Sequence, residues 1–286
     1  MLSIKGLDWK TFFKKLYAKV FDTDVQSRAA QVGFYFSFAF FPLLLVLIAL
    51  FGLVLESTEG LRSELFTYLR QIMPWSAYQL VEKTLEEVIE NSSGSKLTLG
   101  IFVTLWSASA GVDSIRTALN AVYELGEERS WWKTKLQSLV LTFLFILLLG
   151  FVMAGVTYGW QLVKITLGSL GWEITSVWVL VAVQWVTLLL VMILATAVIY
   201  SWVPCFDKFR WFWITPGAVA AIILWILLTS GFRLYLQYFN SYNKAYGSLG
   251  AVIILMLWMY LTAMALLIGG AINSVLTEMS EDREND

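Results

Sequence analysis

Trp106, Ser109, Asp113, Arg116 and Asn120 recur at intervals of three and four residues, beginning inside an apolar stretch. On a helix, side chains at that spacing share one face. A carboxylate three residues ahead of a guanidinium can pair with it locally. The same stripe can instead line an aqueous cavity, where guanidinium and carboxamide groups offer donors to an anion. Both readings are open from the residues alone. An ionisable group at mid-bilayer is disfavoured by about 2.5–3.5 kcal/mol, so such groups are functional candidates by default. Arg28, followed by Gln31 and Tyr35 at helical spacing, forms a second such stripe. For Arg28 the competing reading is a side chain that snorkels to lipid headgroups. The candidate substrate or headgroup set is therefore Arg28, Tyr35, Asp113, Arg116 and Asn120.

Absences narrow the chemistry further. The chain has no histidine and one cysteine, Cys205. An intramolecular disulfide, a Cys/His metal site and any Ser-His-Asp or Cys-His catalyst are excluded. An enzyme here would rely on carboxylates, Lys, Tyr or a metal held by oxygen ligands, and no activated nucleophile or paired acid and base is visible. The expectation is a protein without enzymatic activity, with no catalytic residue, metal or cofactor. Outside the apolar stretches no basic patch with interleaved aromatics remains, so no nucleic-acid partner is expected.

The elements that must position these residues are written in the hydropathy. Hydrophobic residues make up 58% of the chain and charged residues 14%, against about 25% charged in soluble domains. Six apolar stretches run Ala29–Leu55, Leu97–Val112, Leu136–Val163, Val177–Val203, Trp211–Leu234 and Tyr246–Val275. A hydrocarbon core of about 30 Å needs about 20 apolar residues in a helix. Only Leu97–Val112 falls short, and its helical pattern continues through Tyr123 until Gly126 ends it. The expected fold is all-α: a polytopic bundle of six transmembrane helices spanning 29–276.

Ahead of the first span, within 1–28, Trp9, Phe12, Phe13, Leu16, Tyr17 and Val20 recur with helical spacing beside Lys10, Lys14, Lys15 and Lys19. That pattern suits an amphipathic helix lying in the membrane interface. Residues 56–96 read as an extracytoplasmic helical hairpin broken at Pro74-Trp75, and 277–286 as an acidic, frayed tail. Thirteen of the 20 Lys and Arg residues fall on the side that holds both termini, and seven on the other. The positive-inside bias places the termini in the cytoplasm.

Three further features bear on how the helices pack. Pro42, inside the first span, removes a backbone bond and bends its helix. Gly155 and Gly159 are spaced as a small-xxx-small pair, as are Ala265 and Gly269. Such pairs let backbones approach, either within the bundle or across a homo-oligomer.

Arg28-Ala29-Ala30 with Tyr35 and Phe41-Pro42-Leu43-Leu44 resembles the first-span signature of the YihY/BrkB family of bacterial inner-membrane proteins. Asp113-Ser114-Ile115-Arg116-Thr117-Ala118-Leu119-Asn120 resembles the end of that family's second span. Tyr246-Gly247-Ser248-Leu249-Gly250-Ala251, Leu257-Trp258-Met259-Tyr260-Leu261 and Gly269-Gly270-Ala271-Ile272-Asn273 resemble its last span. Within these segments Gly247, Gly250 and Gly269 are candidate helix-packing positions. The resemblance implies six spans, membrane lipids as partners and transport of an anionic or lipid-linked substrate. Some members carry the label ribonuclease BN. That label fits poorly with a chain lacking histidine, an aspartate cluster for two metals and a basic surface. Asp113 beside Arg116 departs from the small or apolar residues familiar in the family, which weakens a purely cationic pocket.

The expected function is a transporter or flippase-like carrier of an anionic amphiphile or lipid precursor, with Arg28, Arg116 and Asn120 forming a polar cluster. The alternative is a non-transporting membrane scaffold that binds lipid or protein partners.

Overall fold

The computed structural model describes residues 8–55, 94–168, 177–206, 214–238 and 248–285. Within them the architecture is all-α. Helices α1 (Trp9–Asp22), α2 (Val25–Leu55), α3 (Gly94–Val122), α4 (Trp131–Gly168), α5 (Val177–Trp202), α6 (Pro216–Tyr238) and α7 (Ser248–Asn285) follow in chain order. The expected hairpin at 56–96 lies outside the described residues except for its last three, which belong to α3.

Local chemistry sets the helix ends. Asp8 caps α1, its carboxylate accepting from the Lys10 amide at 3.1 Å, as N-cap carboxylates do. Between α1 and α2 the chain turns through Asp24, at φ 51°, a left-handed conformation that Asp tolerates better than most residues. Thr215 caps α6 by accepting from the Ala218 amide at 3.0 Å. Pro216 stands at the first helical position, where a missing N–H is harmless.

The end of α3 differs from the sequence expectation. The helix stops at Val122 rather than running to Gly126. Leu125 N–H bonds the Asn120 carbonyl at 2.7 Å and Glu124 N–H bonds Ala121 at 3.1 Å. This is the paired closure of a Schellman turn, with Glu124 rather than glycine in the left-handed position, at φ 57°. The acidic tail also departs from expectation. Instead of fraying, it continues the last helix as far as Asn285.

Helix α7 is the hub, packing against α6, α2, α3 and α1, while α3 also packs on α2 and α4. The core joins Ala29 and Val32 of α2, Ile115 and Leu119 of α3, Leu141 of α4, Tyr200 of α5, Ala221 of α6 and Leu267 of α7. Small residues allow the closest crossings. A Cβ on Gly33 would lie 2.8 Å from the Tyr260 amide nitrogen of α7, and one on Gly270 2.8 Å from Leu119.

Four helices among the described residues are long and apolar enough to cross a membrane: Trp131–Val152, Trp185–Trp202, Pro216–Leu236 and Val252–Asp282. Only 17–28% of their most apolar windows is buried. Phe143, Leu147, Phe151, Leu190, Leu227 and Leu234 point outward. An apolar exterior on that scale is unstable in water and natural in hydrocarbon. The molecule is a polytopic helical membrane protein.

Candidate functional site

A network of charged side chains gathers where α3 ends, α4 begins and α5 ends. Asp113 and Arg116, one turn apart on α3, form the expected i,i+3 pair at 3.2 Å. The carboxylate is also held from α4. Lys135 Nζ approaches Asp113 Oδ2 at 3.1 Å, and Ser138 Oγ donates to Oδ1 at 2.6 Å. Lys135 is buried, and its ammonium donates to Ser109 Oγ at 2.6 Å and lies 4.7 Å from the centre of the Trp106 ring. A carboxylate, a hydroxyl and an aromatic face together compensate for the water this ammonium has lost.

The α3–α4 connection supplies the second half. Arg129 grips Glu127 in a fork, Nε to Oε1 at 2.8 Å and Nη2 to Oε2 at 2.9 Å, the strongest geometry for this pair. That fork holds the Glu127 carboxyl well below its ordinary value, at about 2, with Arg116 adding to the effect and partial desolvation opposing it. Asn120 Nδ2 donates to Glu127 Oε2 at 3.0 Å, and Arg116 Nε lies 3.6 Å from the same oxygen. Asn120 Oδ1 accepts from the Cys205 amide at 2.9 Å, which ties the chain beyond α5 to α3. Arg129 reaches Gln137 on α4 at 2.6 Å and the Val203 carbonyl at 3.3 Å. Gln137 in turn donates to the Trp202 carbonyl.

Three cations, Arg116, Arg129 and Lys135, thus face two carboxylates, Asp113 and Glu127, leaving one positive charge in excess. Both carboxylates accept from several donors. Arg116 Nη1 is buried and has no hydrogen-bond partner among the described residues. A guanidinium donor left dry and unpaired is unfavourable, and it is open to an acceptor from outside the network.

Of the five residues proposed from the sequence, the fold brings Asp113, Arg116 and Asn120 together. Arg28 makes a different contact: its Nε donates to the Thr23 carbonyl at 2.7 Å, stitching the corner between α1 and α2. Tyr35 is exposed, with its ring edge-on to Phe34. Neither bonds to the network. Pro42 stands within the continuous helix α2, and Gly155 and Gly159 within α4; for these three only the helical backbone is described. Gly247 lies outside the described residues. Gly250 is buried, and Gly269 sits in a tight crossing with α6 and Tyr200.

Lys135, Ser138, Glu127 and Arg129 were not singled out from the sequence. A signal existed for two of them: Lys135, Ser138 and Thr142 repeat with helical spacing along one face of apolar α4. For Glu127 and Arg129, in a loop, periodicity offers nothing. Among the described residues no three acidic or cysteine side chains gather as a metal-holding group.

A second set of ion pairs secures α1. Lys15 bonds Glu278 at 2.8 Å and Asp282 at 2.9 Å on α7; Lys19 bonds Glu124 at 2.7 Å. These contacts place α1, the end of α3 and the C-terminal end of α7 at the same end of the bundle as the network.

No solved structure matches the chain. A curated relative from Bacillus subtilis (strain 168), named "Putative ribonuclease-like protein YfkH", is 30% identical over 213 residues, covering 74% of this chain and 75% of the relative. That relative overturns two expectations at once, that the chain is not an enzyme and that it has no nucleic-acid partner. Both rested on the absence of histidine, of a visible acid–base pair and of a basic patch. The model of the family described as "Virulence factor BrkB" matches residues 16–286, nearly the whole described bundle, and this bacterial multi-pass membrane protein therefore belongs to the BrkB family.

Proposed function

We propose that this chain is a transporter or flippase-like carrier of an anionic amphiphile or lipid precursor in the bacterial inner membrane. In this reading it has six spans with both termini in the cytoplasm, where the excess of Lys and Arg lies. The site is the Asp113, Arg116 and Asn120 network, and its ligand is the phosphate or carboxylate of a headgroup. Asp113 and Glu127 orient Arg116 between them, and Arg116 Nη1 is the donor offered to the anion. Support comes above all from one observation, the buried Nη1 without a partner among the described residues, in a network whose described side chains carry one excess positive charge. Lys135 and Arg129 set the local potential without leaving their own carboxylates.

The test is transbilayer movement of a fluorescent phosphatidylglycerol in proteoliposomes holding the full chain. Arg116→Ala should lower the rate at least tenfold while the variant still folds, as judged by its melting temperature in detergent. Arg116→Lys, which keeps the charge but not the planar fork of donors, should recover only part of it. Full activity in Arg116→Ala shows the residue to be dispensable for movement and sinks the reading, and a variant that unfolds assigns Arg116 a structural role. Lipid binding without any movement would favour the scaffold.

A second reading draws on the name of the Bacillus relative. Here the anion at Arg116 is a phosphodiester of RNA, and the chain binds or cleaves it. Incubating the purified protein with end-labelled RNA separates the readings. Arg116-dependent cleavage or retention favours RNA, whereas Arg116-dependent lipid movement with RNA untouched favours the carrier.

A further inference from the structure

Helix α1 carries more apolar surface than the protein covers. Phe12 is buried, and Leu16 and Val20 pack on the core. Trp9, Phe13, Tyr17 and Phe21, each four residues from the last, are 55–67% exposed. The helix cannot roll to hide them. Lys15 and Lys19, bonded to Glu278, Asp282 and Glu124, fix its rotation.

Charge divides the same way. Lys15 and Lys19 have carboxylate partners, whereas Lys10 and Lys14 have none among the described residues and are exposed. At 100° per residue both fall beside the Tyr17 and Phe21 side of the aromatic row. At this end of the bundle Trp131 and Trp132, in the first turn of α4, are exposed too. On α2, Phe34 and Phe38 are exposed as well. An exposed aromatic row edged by lysines without carboxylate partners among the described residues matches the boundary between acyl chains and anionic headgroups.

We infer that α1 is an anionic-phospholipid contact: Trp9, Phe13, Tyr17 and Phe21 sit at the acyl boundary while Lys10 and Lys14 bind headgroup phosphates. This site is separate from the Arg116 network and does not depend on the carrier reading. The test uses the full chain in neutral detergent, its melting temperature followed while phosphatidylglycerol or phosphatidylcholine is titrated in.

Phosphatidylglycerol should half-saturate at a concentration at least tenfold lower than phosphatidylcholine. Lys10→Gln combined with Lys14→Gln should weaken phosphatidylglycerol roughly fivefold per lysine and leave phosphatidylcholine unchanged. Phe13→Ser with Tyr17→Ser should weaken both lipids. The lysine effect should persist in an Arg116→Ala background, which separates this contact from the headgroup site. Equal response to the two lipids in the parent chain overturns the inference. So does an unaltered phosphatidylglycerol response in the lysine variant, or a preference lost only with Arg116.

Discussion

Glu127 illustrates how one side chain can set the pH range of a site. Its carboxyl is depressed to about 2 because Arg129 binds it as a fork and Arg116 stands nearby. A carboxylate with a lowered folded-state pKa contributes stability that is complete above its unfolded value, about 4.5, and is lost as pH falls towards 2. Melting temperature in detergent should therefore decline as pH drops through that window. Glu127→Gln should remove the part of the decline due to this residue while lowering stability at neutral pH. An unchanged profile in the variant would show that the fork does not couple to folding. The Asp113–Arg116 pair was legible in the sequence because three residues on a helix fix the distance between two side chains. Lys135 and Glu127 were not, because their positions depend on how the chain turns after Val122. That turn rests on a left-handed Glu124 where the sequence offered Gly126 as the obvious stop. Arg28 was misplaced for a related reason: its local partner is a carbonyl exposed by the turn at Thr23, and backbone acceptors leave no mark in side-chain patterns.

Among the elements, α6 and α7 meet most closely. A Cβ on Gly217 would collide with the Gly269 carbonyl and lie 2.6 Å from Asn273 Cγ; one on Gly269 would lie 2.5 Å from the Gly217 carbonyl and 2.7 Å from the Ala221 Cβ. Asn273 seals the crossing, its Oδ1 accepting from the Gly217 amide at 2.9 Å and its Nδ2 donating to Thr215 at 2.9 Å. A backbone obstacle cannot swing aside, so Gly217→Ala and Gly269→Ala should each destabilise by about 1–3 kcal/mol. Gly231, with nothing near its would-be Cβ, is the control. Gly231→Ala should stabilise by about 0.5–1 kcal/mol through helix propensity. Chemical unfolding in mixed micelles distinguishes the three, and a neutral Gly217→Ala would mean that the crossing yields. Spacing along one strand of sequence identified Gly269 but gave no warning of Gly217. Their contact joins two helices, and a small-xxx-small pattern reports only on one. The apolar extents of the helices were easier to read, since length and hydropathy are properties of each segment alone.

For the whole molecule, the ion pairs from α1 to α7 and α3 put the helix next to the N-terminus and the C-terminal end of α7 together. Which side of the membrane that end faces was read from the distribution of Lys and Arg. A C-terminal fluorescent-protein fusion should glow and a C-terminal alkaline phosphatase fusion should stay inactive in intact bacteria; the reverse pattern would invert the orientation. The all-α, membrane-embedded character was legible because hydrocarbon imposes it on any chain with such long apolar stretches. The last turns of α7, beyond Val275, were not, since these charged residues look like solvated chain until Lys15 and Lys19 of a distant helix are seen to pair with Glu278 and Asp282. Helix α7 runs unbroken for 38 residues, roughly 57 Å at 1.5 Å per residue, nearly twice the thickness of the hydrocarbon it enters. A rod of that length is a lever: ten degrees of tilt carries one tip roughly 10 Å sideways relative to the other. Lys15 pairs with Glu278 and Asp282 near that tip, while Lys19 reaches both Glu278 and Glu124, just past the end of α3. Helix α1 therefore braces the lever against α3, and a tilt of α7 must strain or break those pairs.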